Sequence, residues 1–295
     1  MIIRDRLSAP GYPARPNEDA CGAIPEKGLA WVIDGATGLA EDNLIADEDS
    51  TDAQWFAHGA NALLTHFGKR LDEKDAGDCF VLIRSLLEDV TDALQKEFDK
   101  NKKRTPRARF ELPCASMCLV YIPVESADVH CFGLGDCPVL IETEDSIEML
   151  ENDPVLAARD AQSAALARPY LAEGLGFTET RKKIAEHLTT GRGLVNTAQG
   201  YPIFSLDKTA PQNMRHEVFP RKTGGHALLL SDGFYALVDK YGCHTHETLL
   251  NTARKSGLAP LYDLLRKIEQ EDDPDGRIYP RLKQSDDATA MLLQF

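Results

Sequence analysis

Four aspartates, each at the edge of a short apolar run, constrain this chain more than anything else in it. Asp34 closes Trp31-Val32-Ile33, Asp136 follows Phe132-Gly133-Leu134-Gly135, Asp232 follows Leu228-Leu229-Leu230-Ser231, and Asp286 stands just before Ala288-Thr289-Ala290-Met291-Leu292-Leu293. Runs so short read as strands rather than helices, so each carboxylate sits where a buried strand emerges from a core. Several hard oxygen ligands placed this way can converge on divalent cations such as Mg²⁺ or Mn²⁺. A single Asp-Gly is commonplace in turns. The repetition at strand ends is what carries weight.

Composition narrows the function classes. At 295 residues the chain can form one large domain or two ordinary ones. Its 43% hydrophobic and 27% charged residues belong to a soluble globular protein rather than a disordered one. A net charge of -14 argues against a nonspecific nucleic-acid binder or a partner of anionic membrane surfaces. Seven cysteines without regular spacing suit a reducing compartment better than a disulfide framework. Met1-Ile2-Ile3-Arg4-Asp5-Arg6 lacks the long apolar segment of a signal peptide, and no apolar stretch reaches membrane-spanning length. A cytoplasmic soluble protein is the expectation.

Along the chain, the first forty residues read as a hairpin or meander that contains a buried strand ending at Asp34. Two amphipathic helices follow, one through Trp55, Phe56, Leu63, Leu64, Phe67 and Leu71, the other through Phe80, Ile83, Leu87, Val90, Leu94 and Phe98. The basic stretch 100–107 reads as an exposed interhelix loop rather than an anion site. Strands are expected at 117–122, 128–134, 139–143 and 147–150, close enough to pair antiparallel. Residues 155–190 turn helical, strands return at 203–206, 217–219 and 227–230, and two helices precede a final strand over 288–295. Because that last strand needs partners, the two ends of the chain should share one core.

Other chemistries fail on spacing. No cysteine is followed six positions later by arginine, there is no Gly-x-Ser-x-Gly elbow, and Gly35-Ala36-Thr37-Gly38 has neither the length nor the lysine of a P-loop. Cys243-His244-Thr245-His246-Glu247 lacks the second cysteine pair of a soft-metal site and reads as a helix start.

The order of the aspartates resembles the metal-dependent Ser/Thr protein phosphatases of type 2C, in a divergent bacterial-type form, over nearly the whole chain. Arg15-Pro16-Asn17-Glu18-Asp19, Val32-Ile33-Asp34-Gly35, Gly135-Asp136, Ser231-Asp232-Gly233 and Asp286-Asp287-Ala288-Thr289 are similar to five of that family's elements, in order. The resemblance implies an α+β fold, a four-layer αββα sandwich of two antiparallel sheets flanked by helices. It implies one domain over residues 1–295, with a remodelled flap insertion at about 151–201. It also implies two Mg²⁺ or Mn²⁺ ions bridged by a water that attacks phosphoserine or phosphothreonine directly. Asp34 is then the bridging ligand, Gly35 a ligand through its carbonyl, and Asp232 and Asp286 further ligands, while Asp136 belongs to a third, weaker ion. Glu18, Asp19 and Asp287 stand behind these ligands, and Arg15 holds the substrate phosphate.

The chain departs from the pattern in places. Ala36 stands where some members carry a histidine proposed as general acid. Ala236 stands where many carry the third ion's aspartate, and the last motif reads Asp-Asp rather than Asp-Asn. The partner implied is a phosphorylated protein, with a cognate Ser/Thr kinase, and neither nucleic acid nor membrane. Three alternatives stay open: a pseudophosphatase that binds phosphoproteins without turnover, a hydrolase of small phosphorylated metabolites on the same scaffold, and an unrelated sandwich protein.

Overall fold

The computed structural model describes all residues except 72–77, 125 and 151. In chain order its elements are β1 (Ile2–Ala9), β2 (Ala20–Ile24), β3 (Leu29–Gly35), α1 (Asp52–Gly68), α2 (Cys79–Asn101), β4 (Cys114–Tyr121), β5 (Asp128–Leu134), β6 (Val139–Glu142), β7 (Ile147–Leu150), α3 (Pro154–Ala172), α4 (Phe177–Lys183), α5 (Ala185–Gly193), β8 (Phe204–Ser205), β9 (Arg215–Pro220), β10 (His226–Leu230), α6 (Asp232–Asp239), α7 (His246–Ser256), α8 (Ala259–Lys267) and β11 (Ala288–Gln294).

Alternation along the apolar strands sets the layers. From β3, Leu29, Trp31 and Ile33 join α1 and α2 in one core, while Ala30 and Val32 point the other way. From β11, Ala288, Ala290 and Leu292 join α6, α7 and α8, while Met291 and Leu293 meet Val32, Cys118 and Val120 between the sheets. Strands covered on both faces need apolar residues at every position, which is why they read as unbroken runs. Each fully buried aliphatic side chain contributes roughly 1.5–3 kcal/mol.

The two sheets are β1-β11-β10-β6-β7 and β2-β3-β4-β5-β9, with β8 added beside β4. Every recorded pairing is antiparallel. Helices α1 and α2 cover one outer face and α6 to α8 the other, so the expected α+β sandwich is the fold observed. The first strand pairs with the last, Ser8 opposite Thr289. This edge strand escaped the sequence reading because its Arg4, Asp5 and Arg6 break up the apolar pattern.

Three helices, α3 to α5, come between β7 and β8. Asp153 caps α3 by accepting from the Val155 amide at 2.9 Å, and Pro154 starts it without a wasted donor. The basic stretch after α2 is folded onto the chain's own acidic loop, with Lys103 3.3 Å from Asp47 and Arg107 3.7 Å from Asp42, while Arg104 meets Glu111 at 2.7 Å. The Cys243–Glu247 segment is a helix start: Thr245 and Thr248 form a reciprocal cap, and His246 Nε2 lies 2.8 Å from the Tyr235 hydroxyl.

Between β5 and β9, His130 Nδ1 and His216 Nε2 lie 3.1 Å apart, and His216 stacks on Phe132 at 4.4 Å. Burial holds both imidazoles below their ordinary value, and the neighbouring His130 adds to the effect on His216. As pH falls below about 6.5, the unfolded chain takes up protons that the folded protein does not, so stability is lost. His216→Phe should flatten the fall in thermal midpoint between about pH 7 and pH 5. An unchanged slope would dismiss the pair as its cause.

Candidate active site

Asp34, Asp136, Asp232 and Asp286 line one cleft of about 510 Å³, together with Gly35. The site lies at a single end of the sandwich because β3, β5 and β10 all finish there and β11 begins there. Asp232 opens α6, and its amide points at Asp34 Oδ2 from 3.3 Å.

Two glycines permit the approach. Gly135 has φ +81°, and a Cβ on it would lie 2.1 Å from Ser116 Oγ, so only glycine lets β5 turn past Ser116 and deliver Asp136. A Cβ on Gly233 would lie 2.0 Å from the Asp287 carbonyl, so the first turn of α6 rests directly on the Asp286-Asp287 backbone. Asp287 accepts from the amides of Gly11 at 2.8 Å and Glu18 at 2.6 Å, which ties the N-terminal segment to the final strand. Glu18 in turn accepts from the Thr37 hydroxyl at 2.6 Å and, through its carbonyl, from the Gly35 amide at 3.2 Å.

Electrostatically the part of the cleft around Asp34 is crowded with carboxylates. Burial, and then the charges of Asp19, Asp232, Asp286 and Asp136, hold the Asp34 carboxyl well above the usual carboxylate range. Burial and the charge of Asp232 push Asp136 up to about 6. Asp19 is 2% exposed and raised by burial and by Asp287. Neither of its carboxylate oxygens meets a well-aligned donor, although the Ser231 and Thr289 hydroxyls are near. A buried carboxylate left unpaired is costly. A hard divalent cation is the partner that an all-oxygen donor set of this charge fits best.

As the side chains stand, no three His, Cys, Asp or Glu groups among the described residues close on a point that could hold an ion. Two lysines account for part of that. Lys240 Nζ lies 3.1 Å from Asp232 Oδ2, and Lys283 Nζ lies 2.6 Å from Asp286 Oδ1. Each ammonium draws one carboxylate toward itself, yet the carboxylates around the cleft outnumber the two ammonium groups.

Arg15 is placed elsewhere. It is exposed, its guanidinium 5.3 Å from the Tyr12 ring centroid, and it does not line the cleft. Glu18, Asp19 and Asp287 sit behind the lining rather than in it. Residues the sequence reading passed over do line it: Lys240, Lys283, and Arg159, Arg181 and Arg192 from α3, α4 and α5. The two lysines lie eight and three positions from Asp232 and Asp286, a spacing too ordinary to mark them as partners. The arginines carried no signal, since nothing in residues 151–201 indicates which side chains face the core.

No protein-family model matches the chain, and no curated protein sequence matches it. Solved structures do. Over 99% of this chain and 98% of that one, it superposes on the Mycobacterium tuberculosis serine/threonine phosphatase PstP/Ppp with a TM-score of 0.57 at 13% identity. The PstP catalytic domain in complex with two manganese ions gives a TM-score of 0.55 at 13% identity, covering 97% of this chain and 95% of that one. PppA, a regulatory component of the type VI secretion system in Pseudomonas aeruginosa, gives 0.53 at 14% identity, with 99% of both chains covered. At such identities the likeness is one of fold.

Proposed function

We propose that this chain is a metal-dependent hydrolase of phosphoserine and phosphothreonine in proteins, folded as one domain over residues 1–295 with a flap at about 151–201. The observation that carries this reading is the gathering of Asp34, Asp136, Asp232 and Asp286 in one cleft, where only Asp232 and Asp286 have a lysine partner. The fold shared with serine/threonine phosphatases supports it. Asp34, the Gly35 carbonyl, Asp232 and Asp286 would hold two Mg²⁺ or Mn²⁺ ions, with Asp136 beside them. Such ions supply charge that activates a water and screens the phosphoryl oxygens for in-line attack.

The chain's own residues do the rest. Asp287 fixes the Gly11–Glu18 segment, and Glu18 fixes the turn after Asp34, so the backbone that would carry the ligands is held in place. Asp19, lacking a well-aligned donor, is positioned to accept a proton or hold a water behind them. Arg15 stands at the surface, where a phosphorylated segment would approach. No helix among the described residues is long and apolar enough to cross a membrane. We place the enzyme in the cytoplasm, acting on a phosphorylated protein and opposing a Ser/Thr kinase.

One observation favours a second reading. Lys240 and Lys283 pair with two of the proposed ligands, as they would in a protein that binds phosphoproteins without turnover. Titrating the purified protein with Mn²⁺ separates the two. Calorimetric binding, a thermal midpoint raised by several degrees, and hydrolysis of a phosphopeptide that a chelator abolishes are the expected results. Phosphopeptide binding that ignores metal and yields no phosphate would favour the second reading.

A further inference from the structure

The part of the cleft wall built by α3, α4 and α5 is basic. Residues 154–193 hold six Arg and Lys against four Asp and Glu, inside a chain whose net charge is -14. Arg159, Arg181 and Arg192 come from three different helices, yet all line the same cleft. In a chain so rich in carboxylates, several arginines elsewhere pair with one, as Arg104 does with Glu111 and Arg281 with Asp273. Among the described residues, no carboxylate comes within 4.0 Å of Arg159, Arg181 or Arg192.

Their surroundings leave donors to spare. Arg192 Nη1 reaches the Ala36 carbonyl at a long 3.5 Å, and its guanidinium lies beside the Cys114 thiol, so most of its five donors remain available. It is thereby held next to the Asp34-Gly35-Ala36 turn. Arg181 lines the cleft within electrostatic reach of Asp286 and Glu18 on one hand and of Arg192 and Arg15 on the other. Arg159 Nε is buried without a hydrogen-bond partner. A Cβ added at Gly191 would lie 3.1 Å from Arg159 Nη1, so Arg159 packs against the turn of α5 that carries Arg192. Like charges gathered this closely repel, and an anion from outside the chain would relieve that repulsion.

We propose that Arg181 and Arg192, backed by Arg159, hold the phosphoryl group of the substrate, the role the sequence pattern gave to Arg15. Planar forks matching two edges of a tetrahedral dianion are what guanidinium groups supply and lysines do not. The identity of the anion as a phosphomonoester rests on the hydrolase reading above. The claim that these arginines bind phosphate does not.

Inorganic phosphate is the probe, titrated calorimetrically into the full chain with Mn²⁺ present, for the wild type and for Arg181→Gln, Arg192→Gln and Arg15→Gln. Loss of a charge-assisted contact should weaken phosphate about tenfold to a hundredfold in the first two and little in the third. KM should rise for a phosphopeptide and a small aryl phosphate alike, with kcat changed less, and Arg181→Lys should restore part of the loss. An unchanged Mn²⁺ isotherm in each variant shows that the metal site is intact. The Arg181 side chain makes no hydrogen bond to any described residue, so its variant carries the test if Arg192→Gln fails to fold. Wild-type phosphate affinity in Arg181→Gln, or loss confined to Arg15→Gln, overturns the assignment. Phosphate binding that depends on the arginines in a protein with no hydrolysis keeps it and removes the hydrolase reading instead.

Discussion

Asp34→Asn and Asp232→Asn should each lower kcat for a phosphopeptide by on the order of a thousandfold, because several kcal/mol of transition-state stabilisation are at stake and each 1.4 kcal/mol is a factor of ten. Asparagine keeps the shape but removes the anionic charge that would hold an ion and raise the basicity around it. Asp136→Asn should cost less, since the buried Ala236 beside it offers no carboxylate to complete a third ion's site. Stability should move the opposite way. Asp34 is buried among Asp19, Asp232, Asp286 and Asp136, which all oppose its ionisation. The metal-free Asp34→Asn protein should therefore melt at a higher temperature than the metal-free wild type. Near-normal turnover in either variant would sink the metal assignment. A fall in both turnover and melting temperature for Asp34→Asn would point to misfolding instead.

This opposition between activity and stability also explains what was legible in the sequence. Asp34, Asp136, Asp232 and Asp286 stand out because carboxylates recur at the ends of four apolar runs, where any one alone would read as a turn former, and the apolar runs fix where the strands end. The sandwich came from the family resemblance rather than from the runs themselves; in the structure their alternation feeds two outer cores and one between the sheets. Strand β1 was obscured by its charged edge, and the wall of α3 to α5 by a helical surface with no clear apolar stripe. Arginines such as Arg181 and Arg192 acquire meaning only when tertiary packing turns them toward Asp34 and Asp286. The lysines were visible as residues and silent as partners, since a lysine three or eight positions from an aspartate is ordinary on any surface.

Those lysines carry the second large effect. Replacing both Lys240 and Lys283 with methionine should destabilise the metal-free protein while tightening its hold on Mn²⁺. The Lys240–Asp232 pair keeps 38% and 28% of its side-chain surfaces exposed and the Lys283–Asp286 pair 29% and 30%, so solvent screens both. Each is therefore worth about 1 kcal/mol or less, well short of a fully buried pair. Together they lend the metal-free fold at most about 2 kcal/mol, and an entering ion must displace both ammonium groups to reach Asp232 and Asp286. Removing that competition should tighten Mn²⁺ binding by about tenfold, the equivalent of 1.4 kcal/mol. Calorimetry gives the affinity and thermal melts in chelator give the metal-free stability. Opposite movement of the two is the signature of cations that hold a place for the metal. Weaker Mn²⁺ binding in the double variant would show instead that the ammonium groups help to build the site, and the idea of competition would have to be abandoned.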